Sequence, residues 1–167
     1  MSDPVFSRRS IRSYTDEAVS ERDLERLLRA AMAAPSAGNQ QPWIFVVVRE
    51  RATLDAVPGF HPYAAMMPKA PAAIVVCGHP EGCKWPQMWV QDCSAATENI
   101  LVEAAALGLG AVWLGVHPLE ERERGARALL GIPDHIVPFA IVPVGHPAEA
   151  KPPSERFDPA RVHLEHW

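Results

Sequence analysis

The 167-residue chain has no surplus of positive charge: 16 Lys and Arg stand against 20 Asp and Glu, a formal net charge of −4. A basic field able to gather nucleic acid or an anionic membrane surface is therefore missing. No apolar run approaches the roughly 20 residues that a bilayer-spanning helix needs. The opening "MSDPVFSRRS" lacks the apolar core of a secretory signal. Cysteine is scarce: Cys77, Cys83 and Cys93 form an odd set without CxxC spacing. That argues against a disulfide framework or a zinc clip and gives the expectation of a reducing cytoplasm. Several catalytic signatures are also missing. There is no P-loop and no G-x-S-x-G, and the seven histidines show no H-E-x-x-H spacing. "HLEH" at His163–His166 reads as a solvated tail.

What is present fits one domain. Hydrophobic residues make up 48% and charged residues 22% of the chain, an ordinary balance for a globular protein that can bury its own core. Proline is the surplus: seventeen residues, about twice the usual share. Most punctuate element boundaries (Pro35, Pro42, Pro71, Pro118, Pro133) or the tail.

Residues 3–10 suit a short helix. Ser20 with Asp23 forms a capping pair, and Leu24, Leu27, Leu28, Ala31 and Met32 follow with helical spacing. "WIFVVV" (43–48) and "AAIVVCG" (72–78) read as strands, the first as a buried one, with a short helix "RATLDAV" between them. The stretch from Pro86 is the longest helix, ending at Gly108 or Gly110, and is apolar on more than one side. Such a helix belongs in the centre of a core or of a dimer. "AVWLGV" (111–116) reads as a third strand, and "LEERERGARALLG" as a solvated helix stopped by Gly131. "HIVPFAIVPVG" (135–145) reads as a fourth strand whose Pro138 and Pro143 suggest an edge or a bulge. Helices precede strands without a regular βαβ alternation, so the fold class is α+β.

Three stretches could carry chemistry. In "RRSIR", Arg8, Arg9 and Arg12 surround Ser10. Guanidiniums this close repel one another unless an anion lies among them, and Arg suits multidentate phosphate contact. A solvated basic segment accounts for the same residues equally well. In "PSAGNQQPW", Ala37 and Gly38 let a backbone approach a flat ligand, and Asn39 offers a donor and an acceptor suited to an imide edge. A helix cap and turn would also use Gly38 and Asn39. In "GLGAVWLGV" the glycines precede a strand, and Trp113 stands where a dinucleotide fingerprint needs its third glycine, so a Rossmann NAD site is rejected. Gly115, at the strand end, could leave a backbone N–H free for a ligand.

In order, "FSRRSIRSY", a capped helix, "APSAGNQQPWIFVVV", a long apolar helix running into "LGLGAVWLGV", and "VPVGHP" with a basic tail resemble the nitroreductase-like family of FMN oxidoreductases, from about residue 6 to the end. The resemblance implies an α+β nitroreductase-like fold: a small mixed sheet flanked by helices around a long buried central helix, in an intertwined homodimer with FMN at the subunit interface. Residues 1–167 would form one domain, with 146–167 a C-terminal extension packing on the partner. It further implies that Arg8, Arg9, Ser10 and Arg12 hold the phosphate and the polar side of the flavin, with Arg12 near its N1 and C2=O. Pro35, Ser36, Ala37 and Asn39 would reach the flavin of the other subunit. Leu114 and Gly115 would lie at flavin N5, Gly115 through its N–H. Arg156, or in second place Lys151, would close on the phosphate. NAD(P)H would be the transient electron donor, and a nitroaromatic or quinone the acceptor.

Alternatives are a flavin enzyme of another outcome, a dehydrogenase or a flavin-fragmenting relative, and a non-catalytic flavin-binding dimer. The chain departs from larger members in two ways. It shows no Asn and Lys pair around Tyr63–Met67, and it has little room for a covering helical insertion, so the site would be open and permissive or be covered by something small, residues 58–68.

Overall fold

The computed structural model describes residues 3–167. Its elements in chain order are α1 (Pro4–Ser7), α2 (Glu21–Met32), β1 (Trp43–Val48), α3 (Arg51–Ala56), β2 (Ala72–Gly78), α4 (Trp89–Ala106), β3 (Gly110–Ala111), β4 (Leu114–Gly115), α5 (Glu120–Leu130) and β5 (Val137–Gly145). The class is α+β, as the sequence indicates. No helix among the described residues is long and apolar enough to cross a membrane.

The sheet runs β1-β2-β5-β3, with β4 also on β5, and every ladder is antiparallel. Its mixed character is confined to one parallel bridge, Ser10 with Ala111. Strand β2 is buried along its whole length because helices cover both faces of the sheet. Ala72, Ile74 and Val76 join the core under α2 and α4, whereas Ala73, Val75 and Cys77 join the core under α3 and α5.

The cap at Ser20 forms as expected: its Oγ accepts the Asp23 N–H at 3.0 Å and donates to the Asp23 carboxylate at 2.7 Å. Leu24, Leu27 and Ala31 are buried beneath it, while Met32, one position past the stripe, is exposed. The C-terminal Gly131 of α5 takes φ +64°, the left-handed stop that glycine allows.

Two expectations need correction, and a third is settled between its alternatives. Strand β1 is an edge strand, not a buried one. It has β2 on one side only, and Ile44 and Val47 are exposed. The strand read over 111–116 is split into β3 and β4. Of the edge or bulge suggested for β5, the bulge forms: β5 is the sheet's centre. Pro138 sits at a bulge: Val76 pairs with Ala140 but Cys77 pairs with Pro138, leaving Phe139 as the extra residue. Pro143 falls opposite Val112 in the register that joins the Ala111–Val144 and Leu114–Ile141 pairs. Having no N–H to offer there, it interrupts the ladder between β3 and β4.

Helix α4 buries Asp92, Cys93, Ala96, Thr97, Ile100, Leu101 and Ala104. Its other side, through Gln91, Ser94, Glu98, Val102 and Ala106, is partly or fully open in the single chain. The helix is therefore central but covered on one side.

Candidate functional site

The Arg8–Arg12 segment is held by its backbone. Asp3 caps α1 by accepting the Val5 N–H at 3.0 Å. Ile11 donates its N–H to the Ala111 carbonyl at 3.0 Å. Gly110 is required beneath it, since a Cβ there would lie 2.6 Å from Ile11 Cγ2. The buried Tyr14 hydroxyl donates to the Ile11 carbonyl at 2.8 Å, and burial pushes that phenol above its ordinary pKa.

Fixed in this way, Arg8, Arg9, Ser10 and Arg12 line one depression of about 320 Å³ together with Lys151 and Arg156. Five cations and a hydroxyl therefore share one concavity, the electrostatic pattern of a polyanion site. The tail straps this loop. Ala148 donates its N–H to the Ser13 carbonyl at 2.9 Å, Lys151 Nζ donates to the Ser10 carbonyl at 2.7 Å, and Arg9 donates to the Pro152 carbonyl. Glu149 accepts the Arg12 backbone N–H at 2.6 Å and lies 3.1 Å from Lys151 Nζ. That backbone hydrogen bond, with Lys151, holds the Glu149 carboxyl below its usual range. Arg8 pairs with Glu98 of α4 at 3.1 Å. The Arg12 and Arg156 guanidiniums pair with no carboxylate among the described residues.

The turn after α2 uses its amides internally. Gly38, Asn39 and Gln41 all have positive φ, between +50° and +55°. Ser36 Oγ accepts the Gln41 N–H at 3.0 Å, and Asn39 Oδ1 accepts from Gln41 Nε2 at 3.1 Å. The anchor is Asp92, 4% exposed on α4. It accepts the Ala37 N–H at 2.9 Å and Gln40 Nε2 at 2.7 Å. Gln40 also bonds both the N–H and the carbonyl of Trp85, each at 3.0 Å, which ties the β2–α4 connection to the turn. Left-handed φ at two non-glycine residues costs of order 1–3 kcal/mol each, and the surrounding hydrogen bonds hold the segment there. The turn lines none of the three depressions bordered by the Arg8–Arg12 loop. Within one chain, then, Pro35, Ser36, Ala37 and Asn39 are not brought to the cations.

Leu114 and Gly115 lie along the same sheet edge as Ser10's anchor, Ala111. The four-residue step from Ala111 to Gly115 spans about 13 Å in extended chain. Val116 donates its N–H to the Phe139 carbonyl at 3.0 Å, and Gly115 stands opposite Ala140. Because bonded and non-bonded pairs alternate in an antiparallel ladder, the Gly115 N–H and C=O both turn away from β5. The carbonyl is taken there by His61 Nε2 at 2.9 Å and by an Arg122 guanidinium N–H at 2.8 Å. The N–H meets no acceptor among the described residues outside the ladder. A Cβ at Gly115 would find no heavy atom within 4 Å. This is an open place with one orphaned donor.

His61 is 1% exposed. Its Nδ1 accepts the Tyr63 N–H at 3.3 Å, so the ring is the Nε2–H tautomer, and burial lowers its pKa. The segment read as a cover, 58–68, is pinned down: Phe60 fills the space over Gly125 of α5, and His61 reaches Gly115. It is a wall beside Gly115. Lys69, just past the stretch searched for a lysine, lines a depression of about 590 Å³ with Arg12. Sequence reading did not single out Gln40, Asp92, Glu149, His61 or Arg122 as site residues. Only Asp92 left a trace, as a lone acid in the first turn of an apolar helix.

The family model described as "Nitroreductase family" matches residues 5–70 and 61–146. A relative from Archaeoglobus fulgidus, provisionally named NADH dehydrogenase/NAD(P)H nitroreductase, is 53% identical and is matched over 98% of this chain and 96% of its own. A crystal structure from Clostridium acetobutylicum, provisionally named an NADH oxidase, superposes with a TM-score of 0.95 at 46% identity, covering 99% of this chain and 100% of that one. A nitroreductase-like structure from Desulfovibrio desulfuricans in complex with FMN gives 0.83 at 35% identity, covering 98% and 94%.

Proposed function

The chain belongs to the nitroreductase family, and from that premise we propose that its site holds FMN lengthwise, phosphate among the Arg8–Arg12 cations and ring edge at Gly115. The protein is an FMN-dependent NAD(P)H oxidoreductase. The observation that carries this reading is the pairing of a five-cation concavity with an orphaned backbone donor about 13 Å further along the same edge. Both the donor set and the open space over Gly115 fit such a cofactor.

FMN, when bound, would supply two-electron transfer between NAD(P)H and an electron-poor acceptor, a nitroaromatic or quinone. The chain's residues bind and orient. Arg8, Arg9, Arg12 and Arg156, with Lys151, neutralise the phosphate, and the Ser10 hydroxyl donates to it. Arg12 also serves the polar edge of the ring, where negative charge gathers on reduction. The Gly115 N–H would donate to N5 and so orient the ring, with Leu114 beside it in β4. Solvent can supply the acceptor's protons, so no side chain is needed as general acid.

The second subunit completes this account. The open side of α4 and the exposed Phe157, Leu164 and Trp167 support a homodimer that covers them. In it, Pro35, Ser36, Ala37 and Asn39 contact the partner's flavin. Residues 147–152 strap the phosphate end of their own chain, and the rest of the 146–167 extension packs on the partner.

Anaerobic mixing tests the reading. NADH or NADPH bleaches the flavin absorbance of the FMN-loaded protein, and a nitroaromatic or quinone restores it. A flavin that neither nucleotide bleaches overturns the assignment.

A further inference from the structure

We infer that His61 and Arg122 are positioning residues for this reaction: by holding the Gly115 carbonyl they fix the peptide plane that follows Gly115, and with the β4–β5 ladder at Leu114 holding the plane before it, the Gly115 N–H stays turned toward the flavin ring. The inference rests on the placement of Gly115 proposed above.

The local structure explains why a lock is needed. Glycine has the widest backbone freedom of any residue, and no neighbouring atom crowds the position a Cβ would take at Gly115. Strand β4 is only two residues long and is cut off from β3 opposite Pro143. The sheet therefore restrains this edge from the β5 side alone and over a short span.

Three bonds compensate, all on one peptide unit. The Val116 N–H is tied to the Phe139 carbonyl at 3.0 Å. On the far side, the two lone pairs of the Gly115 carbonyl are filled by His61 Nε2–H at 2.9 Å and by Arg122 at 2.8 Å. Both donors are themselves held. The Tyr63 N–H fixes the His61 tautomer through Nδ1, and the Arg122 guanidinium lies over the Tyr63 ring, 5.5 Å from its centroid. His61 is buried at 1% exposure, as are the polar side chains of Asp92 and Thr97 at 4% and 0%. A buried imidazole aimed at a backbone carbonyl is a costly way to fill space and an effective way to orient a peptide.

A purely structural role would tie the 57–70 segment to the sheet and affect nothing else. The two roles separate when flavin binding and flavin reduction are measured apart. The proteins are the FMN-loaded parent, His61→Leu, His61→Gln, Arg122→Met and Arg122→Lys, with glycine-selective ¹⁵N labelling to follow the Gly115 amide, assigned through Gly115→Ala. In the parent, FMN shifts that amide downfield.

In His61→Leu and Arg122→Met, FMN affinity is retained because the phosphate end is untouched. The amide shift on FMN addition is lost, and reduction of bound flavin by NAD(P)H slows about tenfold or more, the cost of a misoriented reacting partner. His61→Gln, which keeps a side-chain amide donor, restores much of the rate, and Arg122→Lys part of it. Should His61→Leu not fold, Arg122→Met, at a half-exposed position on α5, carries the test alone. If both variants keep the parent's amide shift and reduction rate, or if affinity and rate fall together, the positioning role is wrong and the flavin reading stands. If the parent itself is not reduced by NAD(P)H, the flavin reading fails and this inference with it.

Discussion

The two ends of the proposed site are built by opposite means. The Arg8–Arg12 end is made of side chains: five cations and a hydroxyl, gathered by a loop and a tail strap. The Gly115 end is made of backbone, one N–H on a strand two residues long, with His61 and Arg122 bonded to the carbonyl of the same residue. Charge at the first end is strong and tolerant of small shifts, because a guanidinium cluster attracts an anion from many angles. Direction at the second end is weak and intolerant, because one hydrogen bond must point at one atom. A cofactor with a charged tail and a reactive ring needs this division: the tail supplies affinity and the ring must be placed.

The sharpest way to break the comparison is to weaken the charged end alone. Arg12→Ala removes a guanidinium that no carboxylate neutralises, and should weaken FMN binding by about 1.5–3 kcal/mol for one charge-assisted contact, measured by flavin fluorescence quenching. The loss should shrink at high salt, as screening predicts.

A second test moves the cations without removing one. Gly110→Ala places a Cβ 2.6 Å from Ile11 Cγ2. It should cost about 1–3 kcal/mol of stability as an overpacking change, read by denaturant unfolding, and should loosen FMN by displacing the loop. Unchanged stability would mean that the loop gives way freely and is not set by this contact.

The smallest effect concerns the tail strap and pH. The folded-state pKa of Glu149 is lowered, first by the Arg12 N–H bond. The strap's contribution is therefore fully present above a carboxylate's ordinary pKa of about 4.3. It is lost as pH falls through the lowered value. Amide exchange at Arg12 and Ala148 should accelerate, beyond its intrinsic pH trend, only in that acid range. Glu149→Gln should abolish the step at Arg12.

Much of the charged end was legible in the sequence because it is local: Arg8, Arg9, Ser10 and Arg12 fall within five residues. The Ser20–Asp23 cap and the all-apolar β2 were legible for the same reason. The directional end was not, because its parts meet only in the fold. His61 bonds a carbonyl 54 positions away, and Asp92 bonds an amide 55 positions away, and neither leaves a periodic trace. The prolines of β5 pointed to an edge or a bulge, and the bulge is what forms. Proline disfavours a central strand, yet the register here puts one at a bulge and one where the ladder is broken. The amides of "PSAGNQQPW" looked like ligand donors. Several are instead used to hold the turn and its neighbouring loop in place.

The central claim is a two-ended site, and the most direct test compares FMN with riboflavin, the same ring without the phosphate. The purified protein, stripped of chromophore, is titrated with each. The account predicts FMN bound far more tightly than riboflavin, with the gap narrowing sharply in Arg12→Ala. Equal affinity for the two flavins, or a gap that Arg12→Ala leaves intact, would contradict it.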